Sequence, residues 1–401
     1  MTSDLEQARS RVAGLSRADA SELRRHLEAI ARPRMTGTEG AAEVEATLRE
    51  RFDAMGYETE PLDFEFSTWP GRYGLSLSGA VLLLTGVFGS WLVAADAPTG
   101  ALFVLVAGLA LALLPLFVLA RALRSLPWGR VEAVNLLFRK PGTRPAWIVM
   151  AHRDSKSQLM PTAVRTAALV LAGLSWLALV VLAGLEYGGD MFHFPTAATV
   201  VGVVLALSGL SLALSWAANA SPGALDNGSG LAAVLAVAER VGDSGDVAFL
   251  LTDGEELGLA GARDVAGRLP AVQGVINVEG MDDDGSFIVA EGRGWDRRGS
   301  APQLAAALLM AGRALDLPVH RRPLPRSLLV DHLPIAEAGI PTLTLLRGTW
   351  GSLLRVHRPG DDASALRCTG AAEGATLLSA ALHLLREDGS GHLARSRRTA
   401  P

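Results

Sequence analysis

The chain has 401 residues, 49% hydrophobic and only 19% charged, with a mean hydropathy of +0.28; soluble domains carry about 25% charged residues, so part of it is built to avoid water. A net charge of −4 leaves no basic field for gripping nucleic acid. A single cysteine, Cys368, excludes an internal disulfide framework and a cysteine-rich zinc site, so any metal must sit on His, Asp and Glu.

In chain order, MTSDLEQARSRV mixes acids and arginines with no apolar run, unlike a cleavable secretory signal, which leaves targeting to the first span. Thr36 to Gly56 has apolar residues at helical spacing and ends in glycine, and Tyr57 to Phe66 alternates like a strand. Two pairs of charge-free apolar runs follow, Gly74 to Ala95 with Ala97 to Ala120, and Thr166 to Leu185 with Phe194 to Ala218. Each has about 20 residues or more, enough for a helix to cross a ~30 Å hydrocarbon core, and they read as two transmembrane hairpins. The tips around Asp96 and Glu186 to Phe194 contain no Lys or Arg, whereas Arg72, Arg121, Arg124, Arg130 and Arg165 flank the other ends. The positive-inside rule then predicts an integral membrane protein of four spans, with its polar segments in the cytoplasm. Gly202, Ala206 and Gly209 line one side of the fourth run, where another helix of the same or a second chain can approach closely, which leaves the oligomeric state open.

Strand-like runs outside the hairpins lie at Ala133 to Arg139, Trp147 to Ala151, Val247 to Thr252, Val275 to Val278 and Thr342 to Leu346. Helical patterns fall between several of them, at Gly230 to Val241, Ala301 to Ala314 and Ala363 to Leu385. The alternation predicts an α/β fold whose mostly parallel sheet is covered on both faces. The expected organisation is one polar domain in three pieces, 1–73, 121–162 and 219–388. Hairpins at 74–120 and 163–218 interrupt it, and a disordered tail, 389–401, ends it.

Polar clusters recur where these strands should end. His152 and Asp154 follow IVMA, Asp226 lies in PGALDNGSG before a helix, Glu255 and Glu256 follow VAFLLTDG, Glu279 ends VINV, and His357 lies in VHRPGDD. Ligands of open α/β sheets bind beyond the carboxyl ends of the strands, so these segments can converge on one pocket. Two imidazoles and three carboxylates (His152, His357, Asp226, Glu256 and Glu279) suit two zinc ions with one carboxylate bridging. Glu255 is left free to take a proton from water and pass it to a leaving amine.

The order of motifs starts with PRMTGTEG at Pro33 to Gly40 and runs through AHRDS, PGALDNGSG, DGEELGLAGA, VINVEG, DHLPIAEAGIP and VHRPGDD. It resembles the co-catalytic zinc aminopeptidases, family twenty-eight of the metallopeptidases, which also contains glutamate carboxypeptidase-like and glutaminyl cyclase-like members. The resemblance implies a mixed sheet between helices, two Zn²⁺ per chain and peptide substrates. It puts His152, Asp226 and Glu279 on one zinc, Asp226, Glu256 and His357 on the other, and makes Glu255 the general base. Asp154 would orient the His152 ring.

Three departures stand out. Glu279 occupies a position where many members have Asp. Val356 replaces the tyrosine often found before the last His, and Tyr57, Tyr73 and Tyr187 all precede the final half of the chain, which leaves zinc to polarise the carbonyl. The second hairpin separates His152 from Asp226, so it must leave and return at nearly the same place.

The expectation is a membrane-embedded zinc exopeptidase, an aminopeptidase acting on peptides beside the lipid bilayer. The alternatives are a single-zinc, glutaminyl cyclase-like enzyme and a catalytically inactive receptor or chaperone-like membrane protein on the same fold. A metal transporter is disfavoured because the four spans contain no ionisable residue. Of the smaller features, MDDDG at Met281 to Gly285 reads as a solvated turn or as a hold for a substrate ammonium group. EGRGWDRRG at Glu291 to Gly299 reads as a lid or plain loop, and His332 as a packing or substrate-side residue.

Overall fold

Continuous apolar runs mark strands buried on both faces, and Trp147–His152 and Val247–Thr252 are buried at every position. They form the middle of an eight-stranded sheet in the computed structural model, which describes residues 2–122, 125–189, 193–292, 300–325 and 328–398. The strands are β1 (Glu58–Ser67), β2 (Arg130–Arg139), β3 (Trp147–His152), β4 (Val247–Thr252), β5 (Gly274–Met281), β6 (Ser286–Ala290), β7 (Val319–Arg321) and β8 (Thr342–Gly348), in the spatial order β1-β2-β4-β3-β5-β8-β6-β7. β4, β3, β5 and β8 run parallel, while β2 and β6 are antiparallel to β4 and β8. The sheet is therefore mixed and mostly parallel, as the alternation of elements predicts.

The chain divides into two compact units. One comprises Met1–Phe64, Glu132–Lys156 and Asn219–Pro401, the other Glu65–Val131 and Ser157–Ala218. In chain order the helices are α1 (Thr2–Val12), α2 (Ala20–Ile30), α3 (Glu39–Ala54), α4 (Trp69–Ala94), α5 (Pro98–Ala122), α6 (Thr162–Tyr187), α7 (Pro195–Ala213), α8 (Gly230–Val241), α9 (Ala260–Val265), α10 (Pro302–Ala314), α11 (His332–Glu337), α12 (Ser352–Arg355) and α13 (Thr369–Arg398).

In the first unit the strand side chains alternate between two apolar layers. Trp147, Val149, Ala151, Val247, Phe249 and Leu251 enter one core, closed over by α2, α3, α8, α10 and α13. Ile148, Met150, Ala248 and Leu250 enter the other with Val265 of α9 and Ile335 of α11. The single helix expected over Ala363 to Leu385 is two pieces. Ala363–Ala365 forms a separate turn, capped by the Asp362 side chain accepting the Ser364 N–H at 2.8 Å, and α13 begins only after Cys368 at φ +65°. α13 then continues through 389–398, where a disordered tail is expected; Leu393, Ala394, Arg395 and Arg397 are strong helix formers. Residues 399–401 lie outside the described residues.

The second unit holds α4, α5, α6 and α7, four helices long and apolar enough to cross a membrane by length and composition. α4 packs on α5 and α7, and α6 on α5 and α7. The small residues join spans within one chain: a Cβ at Gly79 of α4 would lie 2.2 Å from the Ala213 nitrogen, and one at Gly209 of α7 would lie 2.4 Å from the Leu83 nitrogen. The fourth run stops being helical at Ala213 rather than Ala218. The Ser157 N–H donates to the Ala218 carbonyl at 2.6 Å and the Ala218 N–H returns to Ser157 at 2.9 Å, closing the second insertion at its base.

Candidate metal centre and active site

Each candidate ligand sits at an interruption of regular structure or close to one. His152 is the last residue of β3, Asp226 lies in the turn before α8, and Glu255 and Glu256 follow β4. His357 follows α12 at φ +63°. Glu279 differs from expectation: β5 continues to Met281, so this residue lies within the strand rather than at its end.

These segments converge. His152 Nε2 lies 3.2 Å from Asp226 Oδ1 and 3.4 Å from Glu279 Oε2. His357 Nε2 lies 3.0 Å from Asp226 Oδ2 and 3.2 Å from Glu256 Oε2. Asp226 thus presents one oxygen to each imidazole. Within each triad, His152–Asp226–Glu279 and Asp226–Glu256–His357, the ligand atoms lie within 4.8 Å of one another. Glu256 Oε1 is buried without a hydrogen-bond partner, an oxygen that a cation would satisfy. Imidazole and carboxylate donors around one shared carboxylate fit zinc.

Asp154 is fully buried. Its backbone carbonyl lies 3.2 Å from His152 Nδ1 and its Oδ1 3.5 Å from the same atom. Its carboxylate also accepts the backbone N–H groups of Glu255 and Glu256, at 3.1 Å each.

Four supporting residues were not singled out by the sequence reading, although each lies in or near a motif that it contains. Lys156 Nζ lies 2.7 Å from Glu256 Oε2. Asn277 donates to Glu279 Oε1 at 2.9 Å and to Thr344 Oγ1 at 3.1 Å. Asp361 of PGDD accepts the backbone N–H groups of Leu225 (2.8 Å) and Asp226 (3.2 Å), which anchors Asp226. Arg34 of PRMTG, fully buried, donates to the carbonyls of Arg153 (2.7 Å) and Gly223 (3.0 Å), fastening the His152 and Asp226 loops together.

The electrostatics follow from burial and close pairing. Burial alone would lower the His152 pKa, but the carboxylates of Glu255, Glu279, Asp154 and Asp226 outweigh it and hold the ring well above the ordinary value. Burial would raise Asp226, yet His152 and His357 hold it well below. Glu256 is held at about 2, because His357 and Lys156 outweigh its burial. Glu255 goes the other way: burial raises its pKa well above that of an ordinary glutamate, with Glu256 and Glu279 adding to the rise and His152 opposing it. Two adjacent glutamates are therefore driven apart, one to stay ionised and one able to carry a proton.

Of the smaller features, His332 is a packing residue, fully buried with Nδ1 2.6 Å from Thr344 Oγ1. MDDDG is a solvated turn only at Asp284 and Gly285. Asp282 is buried, accepts Ser352 Oγ–H at 2.6 Å and lies 2.9 Å from Arg355, while Asp283 accepts from Thr369 Oγ1 and the Gly370 N–H at the start of α13. These acids serve their own chain. Of EGRGWDRRG, residues 293–299 lie outside the described residues.

Residues 206–382 match the model of Peptidase family M28; that segment contains Asp226, Glu255, Glu256, Glu279 and His357. No curated protein matches the sequence. Among solved structures, the chain is similar to the glutaminyl cyclase of Fimbriiglobus ruber, with 16% identity, a TM-score of 0.54, and 92% of this chain and 96% of that one covered. It is similar to the LapA aminopeptidase of Legionella pneumophila at 13% identity and a TM-score of 0.52, covering 95% of this chain and 74% of that one. An aminopeptidase from Aneurinibacillus sp. strain AM-1 aligns at 14% identity and a TM-score of 0.51, over 92% and 94%. At such identities the likeness to solved structures is one of fold. The match to Peptidase family M28 is a similarity over residues 206–382, a segment that spans four of the five converging ligand candidates.

Proposed function

We propose that the chain is a membrane-bound zinc exopeptidase, an aminopeptidase, with His152, Asp226 and Glu279 holding one metal and Asp226, Glu256 and His357 the other. The observation that carries this reading is Asp226, whose two oxygens face two different imidazoles at 3.2 and 3.0 Å. Zinc bound there supplies Lewis acidity toward a peptide carbonyl oxygen and makes water a better acid. Glu255, its pKa raised, takes a proton from the attacking water as the new C–O bond forms, then delivers it to the amine nitrogen as the C–N bond breaks. Asp154 keeps Glu255 and Glu256 in place through their backbones while facing the His152 ring. The four apolar helices anchor the enzyme in a bilayer, and the arginine placement puts its polar unit in the cytoplasm.

The test is Glu255→Gln in detergent-purified protein, assayed on N-terminal amino acid amides with and without chelator. Turnover should fall by about 10²–10⁴ while the zinc content stays that of the wild type. Unchanged hydrolysis would overturn the role of Glu255. A single zinc, together with cyclisation of a peptide that begins with glutamine, would replace the aminopeptidase reading with a cyclase one. A reporter fused after Pro401 and active only outside the cytoplasm would reverse the orientation.

A further inference from the structure

A second cluster of metal-competent groups lies in the apolar unit. Asp96 is in the turn between α4 and α5, Glu186 in the last turn of α6, and His193 just before α7. Their ligand atoms lie within 4.8 Å of one another, so the two hairpin tips meet through these three side chains. The Glu186 side chain is only 1% exposed. Its Oε1 accepts the Phe194 N–H at 3.1 Å and lies 3.1 Å from His193 Nδ1. Its Oε2 is buried with no hydrogen-bond partner, and a carboxylate oxygen left so loses its hydration without compensation.

The surrounding field asks for a cation as well. Asp96 and Glu186 stand at the C-terminal ends of α4 and α6, where the helix dipole is negative and positive charge is favoured. Neither helix has a basic residue in its last turn, and residues 91–100 and 183–199 contain no Lys or Arg. Two carboxylates and an imidazole neutralise a divalent cation and form a donor set of the zinc type.

We propose that Asp96, Glu186 and His193 form a divalent-cation site that clasps the two hairpin tips and is made of residues wholly different from those of the His152 centre. Its place is structural: three donors from both tips, joined by one ion, resist separation of the helix pairs. The site does not depend on the exopeptidase reading.

The test uses the full chain, stripped of metal in detergent and dialysed against Zn²⁺, with bound equivalents counted by elemental analysis. His193→Ala and Asp96→Asn change exposed positions and leave the Glu186 backbone contact in place. Each should bind one equivalent less than the wild type. In a background carrying both His152→Ala and His357→Ala, which takes an imidazole from each triad of the other centre, Zn²⁺ should still raise the melting temperature, and adding His193→Ala should abolish that rise. Equal equivalents in the wild type and both variants would overturn the site and reduce the cluster to a His193–Glu186 ion pair.

Discussion

The carboxylate of Asp154 receives the backbone N–H of Glu256 on one oxygen and that of Glu255 on the other, both at 3.1 Å. A residue expected to steer only the His152 ring therefore also sets the proposed proton carrier and a proposed ligand on a common support. Asp154→Asn replaces one acceptor oxygen with an amide nitrogen that cannot accept an N–H. Metal affinity should fall about 10- to 100-fold, with turnover falling alongside. Chelator competition measures the first, and an affinity equal to the wild type would remove Asp154 from the support of the site.

Glu279 is steadied by a neighbour on its own strand. Asn277 donates to its Oε1 at 2.9 Å and to Thr344 Oγ1 at 3.1 Å, and Thr344 in turn faces His332. Asn277→Ala frees the long glutamate arm. Zinc affinity should drop about tenfold, and the fold should lose about 1–3 kcal/mol from the unpaired buried groups. Titration with a zinc-selective chelator reads the first and thermal melting the second.

The α4–α7 contact depends on missing side chains. A Cβ at Gly79 would stand 2.2 Å from the Ala213 nitrogen, and backbone cannot give way as a flexible side chain can. Gly79→Leu should lower stability in detergent by about 1–3 kcal/mol through overpacking. Gly173→Ala, where nothing lies within 4 Å of the added carbon, is the control and should melt with the wild type.

Glu22 of α2 is tied to Arg240 of α8 through two hydrogen bonds, at 2.8 and 2.7 Å. Arg240 lowers its pKa from 4.5 to about 2 despite partial burial. A depressed carboxylate contributes stability that is fully present above its unfolded pKa and lost as pH falls through the folded one. Glu22→Gln should thus cost about 1 kcal/mol near neutrality, and the gap from the wild type should close as pH falls from about 4.5 to about 2. Melting curves across that range decide it; a gap independent of pH would mean that the ion pair contributes nothing.

Much of the architecture was legible locally. The helix of Gly230 to Val241 and the strand of Val247 to Thr252 have the bounds that periodicity assigns them, because apolar spacing reports which face of an element is buried. The four apolar runs were equally plain, since length and lack of charge are properties of a segment alone. The break at Cys368 and the helix through 389–398 were not, because a positive φ and a helix's last turns depend on what the backbone meets around it.

The residue types able to hold two metal ions, their order along the chain and the family they resemble all come from the sequence by itself, because donor chemistry belongs to the side chain. Only the tertiary structure decided that Asp226 stands between two imidazoles, that Asp154 carries the glutamate pair, that Arg34 fastens the ligand loops and that Gly79 meets α7 of its own chain. These partners lie far apart along the polymer. Hydrogen bonds and charges act over a few ångströms of space, a distance set by how the sheet and helices pack and not by the number of residues between them.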